Sequence, residues 1–121
     1  CLIPANGWYE WKTTPSGKVP FYHQSEENDT IFFAGIYDDW ADANQTKRTF
    51  CILTTTSHDS ISHIHERMPL LVPENSVNNW LENGTFENIS LQINVHPVDR
   101  KVNSTTAKGV GLTSPIRTLF D

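Results

Sequence analysis

Alternation of apolar and polar positions dominates this chain, and helical spacing is the exception. In Gly7-Trp8-Tyr9-Glu10-Trp11 three aromatics surround one carboxylate. A strand there sends Trp8 and Glu10 to one face and Tyr9 and Trp11 to the other. Thr13-Thr14-Pro15-Ser16-Gly17-Lys18 is turn chemistry, and Val19-Pro20-Phe21-Tyr22-His23 resumes the extended pattern, so the two stretches predict a hairpin. Residues 31–37 are apolar on both faces for the length of a strand, which predicts a central place in a sheet. Residues 49–56, rich in β-branched and aromatic side chains, predict a second buried strand, and residues 91–98 alternate as a half-exposed one.

Helical patterns are short. Behind a capping Thr56 or Ser57, residues 58–65 predict a brief helix with Ile61 and Ile64 on its buried side. The clearest helix lies within residues 72–84, with Pro73 near its first turn, Val77, Trp80 and Leu81 on one face and Gly84 just past its end. Residues 101–115, rich in Thr, Ser and Gly, read either as an ordered loop across a site or as a flexible tail. No repeat and no linker divides the chain, so a single domain is expected.

Composition narrows the function classes. A chain of 121 residues with 37% hydrophobic content, four Trp and six Phe has the material for a packed interior. The net charge of −5 argues against broad, nonspecific attraction to nucleic acid, so any phosphate contact depends on a local basic patch. Cys1 and Cys51 form neither a disulfide framework nor a Cys-x-x-Cys motif, which fits a reduced, intracellular protein, cytoplasmic if bacterial. No apolar run approaches the roughly 18 residues of a membrane helix. Asn-x-Ser/Thr triplets at Asn28, Asn44, Asn83, Asn88 and Asn103 are expected to arise by chance in a chain so rich in these residues.

The densest chemistry is Ser62-His63-Ile64-His65-Glu66-Arg67-Met68-Pro69, with groups able to move protons or hold anions beside an apolar run. Glu10 is the second polar exception. Buried among aromatics it becomes a proton carrier with a raised pKa; at a sheet edge its head stays in water, the commoner fate of Glu. In a helix His63 and His65 point apart, whereas in a strand they share a face. Two imidazoles without a third ligand at suitable spacing are weak evidence for metal, and no metal or cofactor is expected. The Thr54 hydroxyl is either a donor to a site group or a product of strand propensity. Lys12 and Lys18 are either solvated or part of a phosphate-steering rim. Trp8 and Trp11 either stack on an unpaired base or pack in the core. No Ser-His-Asp pattern or zinc-protease motif supports general proteolysis.

Four blocks, Cys1-Leu2-Ile3-Pro4-Ala5-Asn6-Gly7-Trp8-Tyr9-Glu10-Trp11, Phe33-Ala34-Gly35-Ile36-Tyr37-Asp38-Asp39-Trp40, Phe50-Cys51-Ile52-Leu53-Thr54-Thr55 and Ile64-His65-Glu66-Arg67-Met68-Pro69, resemble the SRAP family in family order. Val102-Asn103-Ser104 resembles a later block. The family is named for SOS response-associated peptidases and includes proteins that crosslink to abasic sites in single-stranded DNA. The resemblance implies an α+β fold on a curved, barrel-like mixed β-sheet with a few short helices. It also implies a cleft for single-stranded DNA, autoproteolytic maturation, and an N-terminal cysteine whose amine and thiol close a thiazolidine on the abasic aldehyde. By position Glu10 and His65 match the catalytic pair and Arg67 a DNA-backbone contact; Trp11 and Thr54 join Arg67 as candidate DNA contacts. Cys1 falls in the internal Cys-Leu-Ile-Pro block, so the expectation is a domain incomplete at its N-terminus whose nucleophile lies elsewhere. A monomer bound to single-stranded DNA is expected, nucleoid-associated if bacterial. The alternatives are a noncatalytic single-strand binder and a general peptidase.

Overall fold

The structure, a computed structural model, describes residues 1–87 and 89–117; Asn88 of the fourth triplet lies outside the described residues. The expected α+β class holds. Nine strands and one α-helix occur among the described residues: β1 (Leu2–Ala5), β2 (Trp8–Thr14), β3 (Gly17–Ser25), β4 (Ile31–Ala41), β5 (Thr46–Ile52), β6 (Thr54–Thr56), β7 (Arg67–Pro69), β8 (Leu71–Val72), α1 (Val77–Asn83) and β9 (Ile93–Pro97). They pair, antiparallel in each case, in the orders β1-β4-β5 with β8 also on β4, β2-β3-β9, and β6-β7. No helix among the described residues is long and apolar enough to cross a membrane.

The predicted hairpin forms in full, from Trp8 opposite His23 to Thr14 opposite Gly17. Gly17 takes φ 113°, a turn conformation that side chains with a Cβ rarely adopt. The core lies where the inner faces of the two larger sheets meet. Trp8 contributes from β2, Ile31 and Phe33 from β4, and Met68 and Leu71 from β7 and β8. Ile3, Ile93 and Val95 close the sides. Trp8 meets Phe33 edge-on at 6.1 Å and stacks on His23 at 4.8 Å, so one indole joins both sheets.

Four expectations need correction. Residues 49–56 do form strand structure, but β5 is exposed along its whole length, because β-propensity reports fit to a pleated surface and not burial. The apolar run 31–37 is central and buried only through Gly35; Ile36 and Tyr37 lie where β4 has outrun β1 and β8 and pairs with β5 alone. Residues 58–65 form a series of turns and no helix. The Ser57 N–H donates to the Glu66 carbonyl at 2.9 Å and extends the β6–β7 pairing, so Ser57 continues the ladder and does not start a helix. Ile61 and Ile64 are buried nonetheless. The predicted helix is shortened: Val72 belongs to β8, Pro73 precedes a 3-10 turn at Glu74–Ser76, and α1 follows, ending at a left-handed Gly84.

His23 has a measurable consequence. It is almost wholly buried, and desolvation pushes its pKa down to about 4. The unfolded chain, with an ordinary histidine near 6.5, binds a proton that the folded protein refuses. Stability therefore falls as pH drops from about 6.5 toward about 4, and a His23 imidazole followed by NMR stays neutral to near pH 4. A His23 that titrates near 6.5 contradicts this burial.

Candidate functional site

Glu10 and His65 reach one cavity from distant parts of the chain. β2 is an edge strand, and Glu10 sits mid-strand, while His65 immediately precedes the β6–β7 pairing. The Glu10 Oε2 and His65 Nδ1 atoms are 3.9 Å apart. They line an open cavity of about 660 Å³ with Trp11, Thr13, Lys18, Val102, Asn103 and Thr105. Burial raises the Glu10 pKa, and the neighbouring His65 partly offsets that rise. The carboxyl is thus neither locked in the core nor freely solvated, and it can give and take a proton nearer neutrality than an ordinary Glu.

The His65 ring is held by backbone. Its Nδ1 lies 3.1 Å from both the Arg67 N–H and the Arg67 carbonyl oxygen. When the ring is neutral with the proton on Nε2, Nδ1 accepts from the Arg67 N–H; when Nδ1 carries a proton, it donates to the carbonyl. In either state Nδ1 is occupied, and Nε2 is the nitrogen left for a ligand. His65 follows the turns of residues 59–64 and lies in neither a helix nor a strand, so the question of a shared His63–His65 strand face does not arise. Among the described residues no three His, Cys, Asp or Glu side chains are grouped to hold a metal.

Arg67 opens β7 and donates from Nη2 to the Thr54 carbonyl at 2.8 Å and to its hydroxyl at 2.9 Å. The Thr54 hydroxyl, for which a donor role and mere strand propensity were both open, accepts from the guanidinium and so aims it. Arg67 and Thr54 do not line the Glu10 cavity; they are tied to it through the Arg67 backbone that holds His65. Of the two tryptophans, Trp8 shares the Glu10 face but is consumed by the core, which leaves Trp11. Trp11 points to the other face, yet the cavity wraps the free edge of β2 and includes both.

The segment 100–115 is an ordered wall. The Trp11 indole N–H donates to Asn103 Oδ1 at 2.7 Å, the Tyr9 hydroxyl to the Leu112 carbonyl at 3.2 Å, and His96 Nε2 to the Thr113 carbonyl at 2.7 Å. Asp99 caps the 3-10 turn Arg100–Asn103 by accepting from the Lys101 N–H. Asn103, Thr13 and Thr105 escaped sequence reasoning as site residues, since nothing in a polar Ser/Thr/Asn stretch marks one member as a cavity wall. Lys18 was one of two flanking lysines, and it alone lines the cavity.

A family model for SOS response associated peptidase (SRAP) matches residues 1–106. The chain belongs to the SRAP family. It is 31% identical over 101 residues to abasic site processing protein YoqW of Bacillus subtilis, covering 82% of this chain and 45% of that one. Similarity to abasic site processing protein YedK of Escherichia coli is 25% over 123 residues, covering 93% and 55%. With abasic site processing protein HMCES of Gallus gallus it is 29% over 133 residues, covering 86% and 40%. This SRAP chain thus spans about half the length of the curated relatives it matches. A crystal structure of a protein from Bacteroides thetaiotaomicron shares the fold with a TM-score of 0.85 at 20% identity, over 97% of this chain and 56% of that one.

Cys1 of the SRAP chain lies elsewhere. It lines a groove with Leu2, Ile3, Pro4, Tyr37, Arg48 and Phe50, and that groove shares no residue with the Glu10 cavity. Its amino group donates to the Gly35 carbonyl at 2.7 Å.

The Trp11–Asn103 bond predicts that Asn103→Ala frees the indole. The Trp11 Hε1 resonance then shifts and exchanges faster with solvent, while urea denaturation shows a loss of about 1 kcal/mol or less, as for one exposed hydrogen bond. An unmoved Hε1 signal contradicts the tether.

Proposed function

We propose that this SRAP chain supplies the acid/base and DNA-contacting residues of a site that binds single-stranded DNA and crosslinks it at abasic positions. The observation that carries the reading is the Glu10 carboxyl beside the His65 ring in a cavity open to a ligand. An abasic deoxyribose must open to its aldehyde before an amine adds to it. The carbinolamine then loses water to give a Schiff base, and a thiol adding across the C=N bond closes a thiazolidine. Ring opening and dehydration each move a proton, which a carboxyl with a raised pKa performs.

His65 holds the sugar or its departing oxygen through Nε2. Arg67, already oriented by Thr54, places its remaining N–H groups on a phosphate, and Trp11 stacks on an unpaired base. The nucleophile in this reading is an N-terminal cysteine from outside residues 1–121, because Cys1 lines another groove. The same Glu10 serves autoproteolytic exposure of that cysteine. The protein acts as a monomer on damaged DNA, in the cytoplasm at the nucleoid if bacterial.

Intact mass after incubation with abasic single-stranded DNA tests the proposal. A protein carrying the family's N-terminal cysteine gains the mass of the DNA, and residues 1–121 alone gain little or none. Equal crosslinking by residues 1–121 would overturn the assignment of the nucleophile. DNA binding without any adduct from either leaves only a noncatalytic binding module.

Two substitutions separate the roles. Glu10→Gln slows adduct formation, by about 10²- to 10⁴-fold if it removes general acid–base catalysis, with little change in DNA affinity. Arg67→Ala weakens DNA affinity and lowers the slope of log K against log salt by about 0.7, the loss of one phosphate contact on a single strand. An unchanged slope removes Arg67 from the phosphate.

A further inference from the structure

The outer face of the β2-β3-β9 sheet carries a row of three polar rings. Tyr9 pairs with Tyr22 and Tyr22 with His96 across the strands, so all three stand on one side. The flanking two are committed to the segment that covers this face, the Tyr9 hydroxyl to the Leu112 carbonyl and His96 Nε2 to the Thr113 carbonyl. Tyr22, between them, is only 6% exposed, and its hydroxyl has no hydrogen-bond partner among the described residues. The ring end that carries this hydroxyl lies against Gly7. Tyr22 and the adjoining Asn6 both line a trough of about 920 Å³ between the β3–β4 turn and residues 109–113. A buried hydroxyl left unpaired while both neighbours are tied is a group that a ligand can satisfy.

The trough selects its ligand by charge. Glu26 and Asp29 line it, neither has an ion-pair partner among the described residues, and none of the described lining residues is Lys, Arg or His. Asn6 commits its Nδ2 to the Asp29 carbonyl at 2.9 Å, which leaves its side-chain oxygen as an acceptor. Gln24 stands two residues beyond Tyr22 on the same face. Burial, with Tyr9 beside it, raises the Tyr22 pKa, so the phenol stays neutral and offers its lone pairs. An anion is repelled from such a lining, and a nucleic-acid phosphate with it. Val110, which also lines the trough and is 89% exposed, gives a methylene stem an apolar contact. These groups together call for several N–H donors of positive charge on a flexible aliphatic stem.

We propose that this trough is a binding site for an aliphatic di- or polyamine, whose ammonium groups bind the Glu26 and Asp29 carboxylates and the Tyr22 hydroxyl. It shares no residue with the Glu10 cavity and depends on nothing assigned there.

Spermidine titrated into the chain at fixed ionic strength, followed by amide NMR, tests the assignment. The expected result is saturable one-to-one binding with shifts gathered at residues 22–29 and 109–113. Tyr22→Phe removes only an unpaired oxygen, so the urea midpoint holds, yet spermidine binds about tenfold more weakly, the loss of one hydrogen bond to a charged group. Glu26→Gln combined with Asp29→Asn weakens binding by about three- to tenfold, as for two exposed ion pairs, and flattens its salt dependence. Both positions are exposed, so this pair of changes decides alone if the Phe variant does not fold.

Shifts that grow without saturation and spread over the surface overturn the proposal, since they report general attraction to a chain of net charge −5. Equal shifts from magnesium chloride at the same ionic strength also overturn it, by making the carboxylates indifferent to their cation. So does Nα-acetyl-lysine amide binding as tightly as spermidine, which makes the trough a pocket for one lysine side chain. Spermidine affinity unchanged in the variants places the amine elsewhere on the molecule.

Discussion

Trp8 is the joint on which the rest of the structure depends. Its indole stacks on His23 within its own sheet and meets the Phe33 ring of the other edge-on, so a single buried side chain links the two sheets at the centre of the core. Glu10 follows two residues later on the same strand, and its place in the cavity is inherited from that anchor. Gly7 makes the approach possible: a Cβ there falls on the His23 carbonyl oxygen and comes within 2.6 Å of the Tyr22 ring. The joint leaves the Trp8 Nε1 and His23 Nδ1 atoms buried without a protein partner, an expense that the apolar burial of both rings offsets.

The site itself rests on partial burial. Were Glu10 as deeply buried as Trp8, its proton would be hard to exchange; in open water it would be an ordinary carboxylate. The edge of β2 gives the intermediate state, and His65 at 3.9 Å tempers the effect of desolvation. Around that pair the backbone does much of the positioning. Arg67 holds His65 through its main chain and is itself aimed by Thr54, so a ring and a guanidinium two residues apart are oriented as one unit. With a net charge of −5 the protein has no general field to attract an anion, so any phosphate contact depends on local, oriented cations.

The two ends of the molecule differ in kind. Near Glu10, His65 is held by the Arg67 backbone and the segment 100–115 is tied down by Trp11, Tyr9 and His96. Along β5, large apolar side chains are exposed. The unpaired outer edge of β5 and the exposed Ile36, Tyr37, Trp40 and Phe50 belong to one hairpin, away from the core around Trp8.

Residue order alone determined the hairpin of β2 and β3, the strand at 31–37 and the helix before Gly84, which depend on period and turn residues and are local properties. Glu10 and the His65–Arg67 segment were legible as candidate chemistry, being polar exceptions in apolar surroundings, and together only through the resemblance to the SRAP family. Only the tertiary structure decided that β5 is exposed throughout, that 59–64 are turns and that Trp11 and not Trp8 faces the cavity. It also decided that Asn103 closes the wall. Those outcomes depend on which surfaces meet: a Phe50 or a Trp8 has the same intrinsic preference for apolar surroundings, and the packing of one sheet on another granted it to Trp8 and left Phe50 in water.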